Sequence, residues 1–191
     1  MPKIVVVTGS PEAGKTTILG KLDRKSYNVI NIGDLMAEIA RKESLASTKD
    51  ELRKLSGRRE LYSRLREMAF SAATRRRGKT VIDTHASVEH MGRYVPGLPL
   101  QALRLLKGLS GFIYIDAETK EILERRLYDK SRDRGQETAA RIETQRLVNL
   151  ASLSFCASYL NIPLHIINNR QGELRSSVKD LEAALSDLFV G

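Results

Sequence analysis

The chain has 191 residues, 41% hydrophobic and 29% charged, with a formal net charge of +9. That length suits one domain with a full core, and no apolar run approaches the ~20 residues needed to span a bilayer. The composition is that of a soluble globular protein, and its basic balance allows an anionic partner (nucleic acid, a membrane surface or small anions) or simply solvated helix faces.

Met1-Pro2-Lys3 leads straight into the apolar run Ile4–Val7, which is too short for a signal-peptide core and has no small-residue cleavage site after it. The expectation is a cytoplasmic protein, and the single cysteine, Cys156, fits a reducing compartment. Its mostly apolar neighbours Leu153, Phe155, Ala157 and Leu160 predict a buried, inert thiol. Lys3–Thr8 is a continuous β-branched run, the signature of a strand buried on both faces.

Gly9-Ser10-Pro11-Glu12-Ala13-Gly14-Lys15-Thr16 follows that strand, and a helical stretch from Thr17 to Lys21 comes after it. The octapeptide matches G-x-x-x-x-G-K-[ST] in full and in the right context. Gly9 and Gly14 allow the backbone to wrap a phosphate, and the loop N–H groups and helix N-terminus supply partial positive charge. Lys15 is positioned to reach β- and γ-phosphates, and the Thr16 hydroxyl to ligate Mg²⁺. The loop does not by itself separate GTPases, ATPases and small kinases. The guanine-reading tetrapeptide Asn-Lys-x-Asp is missing, its nearest counterpart being Asn168-Asn169-Arg170-Gln171.

Further strands are predicted at Tyr27–Ile32, Thr80–Asp83, Gly111–Asp116 and Leu164–Asn168, with amphipathic stretches between them. Thr48 and Glu51 form a capping box ahead of Leu52 and Leu55. Leu61, Leu65, Met68 and Ala72 fall on one helix face, as do Leu174, Val178, Leu181, Leu185 and Leu188. Strand–helix alternation predicts a three-layer α/β P-loop fold, a five-stranded parallel sheet with helices on both faces. Two segments read as insertions. One spans 34–78, helical and basic, with ten Lys/Arg and two acidic residues between Arg53 and Lys79. The other is polar Ser131–Thr138, within a lid expected over 128–140. No helix-turn-helix, zinc finger, RNP or KH signature appears, so nucleic acid is not the expected partner of the basic stretch. Asp83 ends an apolar strand, where a carboxylate faces the ligand crevice and can hold Mg²⁺ through water. His85 lies two residues on; His90 and His165 read as structural or exposed.

At this point the sequence resembles the archaeal-type adenylate kinases over nearly its whole length. The resemblance runs through Val5–Gly9, Gly14–Thr17, Asn31–Met36, Asp50–Leu55, Ile82–His85, Tyr94–Pro99, Ile122–Arg125 and Arg132–Arg134. Asp83-Thr84-His85 followed by Gly97-Leu98-Pro99 is more specific to this group than the phosphate loop. The resemblance implies reversible phosphoryl transfer from ATP, with Mg²⁺, to AMP, giving two ADP. It implies the loop residues Gly9 through Thr17 and Asn169 on the donor nucleotide, and Arg125 or Arg126 on its adenine, with spacing leaving open which. Gly33, Asp34, Met36, Arg53, Thr84, His85 and Gly97 fall to the acceptor, Arg53 on its phosphate. Lys15, Asp83 and the lid arginines Arg132 and Arg134 fall to catalysis. Members are often trimers, so a homo-oligomer is expected. Two departures stand out: Glu12 where relatives usually carry glycine, and Leu150 where they carry an arginine, with Arg146 one turn earlier. The alternatives are a kinase for another nucleoside monophosphate or small metabolite, or a slow nucleotide-dependent module binding RNA or protein.

Overall fold

The computed structural model describes residues 3–90, 92–128 and 138–190. Five parallel strands, β1 (Lys3–Gly9), β2 (Asn28–Asn31), β3 (Lys79–Asp83), β6 (Leu109–Asp116) and β7 (Leu164–Asn168), form one sheet in the order β2-β3-β1-β6-β7. The helices are α1 (Lys15–Leu19), α2 (Ile32–Lys42), α3 (Lys49–Lys54), α4 (Arg59–Ala73), α5 (Leu100–Leu105), α6 (Thr119–Tyr128), α7 (Ala139–Leu160) and α8 (Leu174–Val190).

The alternation in β1 explains the layering. Ile4 and Val6 are fully buried on one face of the sheet, in a core shared with Met36, Leu65, Phe70 and Leu153 from α2, α4 and α7. Val5 and Val7 are fully buried on the other, with Ile18, Leu181 and Leu185 from α1 and α8. A strand sandwiched this way carries β-branched residues at every position, because both faces leave water. Cys156 sits in the first core, and burial pushes its thiol pKa up.

Three expectations change. The helices of segment 34–78 are built into the domain: α2 and α4 supply part of the core that covers one face of the sheet. On α4 the buried face is Leu65, Ala69, Phe70 and Ala73, with Leu61, Met68 and Ala72 half-buried. The stripe rotates because the helix seats against both the sheet and α2, so a residue beside the predicted line goes inward. The third change is a small antiparallel hairpin, β4 (Ser87–His90) and β5 (Arg93–Pro96), lying outside the main sheet. Its cross-strand pair Val88 and Val95 is exposed, so the segment shows little apolar alternation to read.

The capping box forms as expected. The Glu51 amide donates to the Thr48 hydroxyl at 3.2 Å, and the Glu51 carboxylate accepts from the amides of Ser47 at 2.6 Å and Thr48 at 3.4 Å. No helix among the described residues is long and apolar enough to cross a membrane.

Candidate active site

The carboxyl ends of β1, β3 and β2 open on a cleft of about 670 Å³ lined by the phosphate loop, Asn31, Asp83, His85, the hairpin, Arg125 and Gln145. The loop geometry depends on two glycines. Gly14 has φ +86°, and a Cβ there would stand 2.2 Å from Asn169 Nδ2. A Cβ on Gly9 would stand 2.5 Å from the Ile115 carbonyl oxygen on β6. Glu12 also lies in the left-handed region, at φ 64°. There a side chain costs on the order of 1 kcal/mol that glycine avoids, so the departure seen in the sequence falls on a strained backbone position.

The loop is held from three sides. Ser10 and Tyr114 share a hydroxyl–hydroxyl hydrogen bond of 2.8 Å in the interior. Burial pushes the Tyr114 phenol up to about 12, so it stays protonated and able to donate. Arg125 donates to the carbonyls of Glu12 at 3.2 Å and Asn169 at 2.9 Å. Asn169 is 7% exposed; its Nδ2 donates to the Ala13 carbonyl at 2.8 Å and its Oδ1 accepts from Ser177 at 3.0 Å. Asn169, expected on the nucleotide, therefore braces the loop from behind.

Lys15 begins α1 and is 9% exposed, and its ammonium is bonded to the Asp83 carboxylate. Register explains the meeting: Val7 on β1 pairs with Asp83 on β3, and the loop then doubles back over that strand end. Burial lowers the Lys15 pKa to about 8. The other Asp83 oxygen accepts from Asn31 Nδ2 at 2.7 Å, and Asn31 Oδ1 caps α2 by accepting from the Asp34 amide at 3.0 Å. Asn31 is thus a site residue that the sequence reading passed over; its signal was an Asn directly before a helix. Thr16 and Thr17 are exposed and line the cleft.

Beyond Asp83 the chain is held by its backbone. The Thr84 amide donates to the Val7 carbonyl at 3.1 Å, and the Gly97 amide to the Ala86 carbonyl at 2.8 Å. A Cβ on Gly97 would lie 2.0 Å from the His85 carbonyl oxygen, so only glycine lets β5 close on this loop. Its His85 side chain is exposed and lines the cleft. Asn149 on α7, 1% exposed, accepts at one oxygen from the Ser87 amide (3.0 Å) and hydroxyl (2.7 Å). Neither residue was anticipated, because the pair is 62 positions apart.

The remaining candidates divide. Arg125 lines the cleft, while Arg126 donates to the cleft-lining Gln145 at 3.1 Å. Met36 is a correction: expected at the acceptor, it is 3% exposed in the core, since it falls on the inward stripe of α2. Asp34 is exposed and ion-paired with Lys49, and Gly33 sits in the first turn of α2. Arg53 lies on α3. Arg132 and Arg134 lie outside the described residues. Arg146, one turn before Leu150, is bound to both Asp116 oxygens, at 3.0 and 2.7 Å, and to Glu143 at 2.6 Å. These bonds to Asp116 above all raise its pKa further.

A family model described as an AAA domain matches residues 8–143. An adenylate kinase of Methanococcus vannielii is 32% identical over 190 residues, covering 95% of this chain and 97% of its own length. One of Pyrococcus horikoshii is 34% identical, covering 98% of this chain and 94% of its own. The chain belongs to the adenylate kinase family. The adenylate kinase of Methanoculleus marisnigri is similar at 34% identity, over 96% of this chain and 98% of its own. Membership makes the cleft a site of nucleotide-dependent phosphoryl transfer. Among solved structures, a shikimate kinase from Bacteroides thetaiotaomicron superposes with a TM-score of 0.59 at 16% identity, covering 96% of this chain and 98% of its own. A gluconokinase from Sinorhizobium meliloti gives 0.52 at 16%, over 98% and 93%. At that identity these two speak to the fold alone. They share the P-loop kinase architecture of this chain.

Proposed function

We propose that the cleft transfers the terminal phosphoryl group of ATP reversibly to AMP, giving two ADP, with Mg²⁺ as the metal. The observation that carries this reading is the buried Lys15–Asp83 pair beneath the phosphate loop, in a chain of the adenylate kinase family. The loop amides bind the donor phosphates, and Lys15 passes from Asp83 to the β- and γ-oxygens as they arrive. Phosphoryl transfer asks the protein mainly for positioning and charge stabilisation, and a preset loop with one mobile cation supplies both.

The Thr16 hydroxyl and Asp83 carboxylate fit Mg²⁺: both are hard oxygen donors on the same cleft. No cluster of three or more His, Cys, Asp or Glu suited to a metal occurs among the described residues. That suits an ion which fills most of its shell with water and phosphate oxygens. Held there by Thr16 and Asp83, Mg²⁺ would offset the negative charge of the donor phosphates. Arg125, pinned by two carbonyls, presents a guanidinium face against which adenine stacks.

On the acceptor side, Arg53 engages the AMP phosphate by charge-assisted hydrogen bonds, with His85, Thr84 and Gly97 shaping the wall beside it. Arg132 and Arg134, outside the described residues, would supply positive charge to the transferring group. AMP phosphate is ionised at neutral pH, so no general base is required. The reading places the enzyme in the cytoplasm as a homo-oligomer, a trimer by likeness to its family.

A coupled ADP-release assay with MgATP and each of AMP, CMP, UMP and GMP tests this. AMP is expected to give the highest kcat/KM, because a closed pocket penalises each base edge it cannot pair. A preference for CMP or UMP would make the chain a kinase for another monophosphate, and no transfer to any of the four would remove the reading.

A further inference from the structure

The cleft occupies one rim of the parallel sheet, and a row of exposed cations lies along the other. Four neighbouring strands, β2, β3, β1 and β6, begin side by side there. Lys25 precedes β2, Arg75 and Arg77 precede β3, Lys79 opens β3, Lys3 opens β1 and Lys107 precedes β6; all six are exposed. The hydrogen bonding fixes their order. Asn28 Nδ2 donates to the Arg77 carbonyl at 2.7 Å, joining the approaches to β2 and β3. Lys3 is the register partner of Lys79, and the Ile4 amide donates to the Gly108 carbonyl at 2.8 Å, next to Lys107. Adjacent strands lie about 4.8 Å apart, so these cations form a row across four strands rather than a scatter.

Acidic partners are few on this row. The approach segments 23–27, 74–78 and 106–108 contain one carboxylate, Asp23. Its oxygens accept from the Lys25 amide at 2.9 Å and the Ser26 hydroxyl at 2.7 Å. Glu38, near the end of α2, is bonded to Lys42 at 2.7 Å, and its lowered pKa, due first to Lys42, also reflects Arg76 close by. Two of the cations are held in place. Lys3 Nζ donates to the Phe189 carbonyl at 2.5 Å, and the Lys79 ammonium sits 5.9 Å from the Tyr27 ring centroid and 5.8 Å from that of Phe189. Like charges on paired strand positions oppose the fold, and a line of anions removes that cost.

We propose that this rim is a docking surface for the phosphate backbone of a nucleic-acid strand, on the opposite side of the sheet from the cleft. A strand supplies phosphates in a line, as the row requires, and arginine forks bind them bidentately. An anionic bilayer would need a continuous apolar face to insert, whereas the exposed apolar side chains beside the row, Leu105 ahead of Lys107 and Val190 beside Lys3, are set among polar and charged groups. The surface is separate from the phosphoryl-transfer reading, and either stands if the other fails.

The test is fluorescence anisotropy of a labelled oligouridine of about 20 nucleotides, titrated with the full chain at several salt concentrations. The triple variant Arg75→Ala/Arg76→Ala/Arg77→Ala changes only exposed side chains. It is expected to bind at least tenfold more weakly at low salt. Its log K against log[salt] should be less steep by about 1.4, from ~0.7 for each of the two row arginines, Arg75 and Arg77, on a single strand. Lys107→Ala should flatten the same slope by about 0.7. The rate of ADP formation should not change, and saturating MgATP and AMP should leave RNA binding intact. Parent-like affinity and slope in both variants would overturn the proposal. So would displacement of the RNA by the nucleotides, which would move binding to the cleft. Binding of the parent to phosphatidylserine vesicles but not to RNA would also overturn it and give the rim to a membrane.

Discussion

The two walls of the cleft are built on different principles. The donor wall is the phosphate loop, a short backbone excursion held from behind at four residues. Tyr114 holds Ser10, Arg125 holds Glu12, Asn169 holds Ala13, and Asp83 holds Lys15. The wall proposed for the acceptor is assembled from helices and a hairpin, and one buried cation stitches it together: Arg66 on α4 donates to the Pro96 carbonyl at 2.6 Å and lies over the Tyr62 ring. The difference is physical. A phosphate is recognised by backbone amides, which need a fixed loop, whereas the opposite wall presents side chains from helices that are themselves built into the core. Arginines within one basic run therefore do unlike jobs. Arg66 is buried structure, Arg53 stands on α3, and Arg75–Arg77 are exposed at the far rim.

The comparison breaks most sharply at Lys15. Lys15→Ala should lower kcat by two decades or more, since one positioned cation or donor at the transition state is worth about 10²–10³ in rate. Asp83 would lose its ammonium partner but keep Asn31 and its opening to the cleft, so the fold should survive. Circular dichroism with steady-state rates checks both halves, and near-parental turnover would dismiss the loop as the donor site.

On the acceptor wall, Arg53→Ala should raise the KM for AMP about tenfold to a hundredfold while leaving that for ATP nearly unchanged. A charge-assisted hydrogen bond contributes roughly 1.5–3 kcal/mol, and the one proposed for Arg53 would be made to the acceptor alone. Kinetics with both substrates varied decides it; equal shifts in both KM values would mean that the two walls are not independent.

A pH series sharpens the donor wall without mutation. In the free site burial holds the Lys15 ammonium down to about 8, so it is charged below that pH and neutral above. The bound phosphates require the charged form. ATP affinity should fall as pH rises from 7 to 9, and binding above about pH 8 should take up a proton. Calorimetry in two buffers of different ionisation enthalpy measures that uptake. The free fold runs the opposite way: its lysine binds fewer protons than the unfolded chain between about 8 and the ordinary lysine value, so stability contributed by this group rises with pH there. Affinity that stays flat over the range would show Lys15 fully charged throughout.

The smallest effect belongs to Glu12. With φ at 64°, Glu12→Gly should stabilise the chain by about 0.5–1 kcal/mol in urea unfolding, relief of the left-handed strain outweighing the added entropy of glycine in the unfolded chain. A less stable variant would show that the Glu12 side chain contributes more than its backbone costs.

What the sequence determined by itself is local. The β-branched run into Gly9, the glycine spacing, the lysine and threonine after it and the capping box at Thr48 each state their chemistry within a few positions. The parallel sheet follows from the alternation of such pieces. Tertiary structure decided what depends on partners far along the chain. It set which way α4 faces the core, that Met36 faces inward, and that Asn149 holds Ser87. It also set that Asn31 shares Asp83 with Lys15, and that Arg125 rather than Arg126 faces the cleft. A periodicity marks a face without saying what lies opposite it, and a polar side chain does not name the acceptor it will meet. The basic residues show the limit most clearly. In the sequence they are a run of like charges, and only the strand order β2-β3-β1-β6 lines them up along one rim, because parallel strands bring together starting points that the chain itself holds far apart.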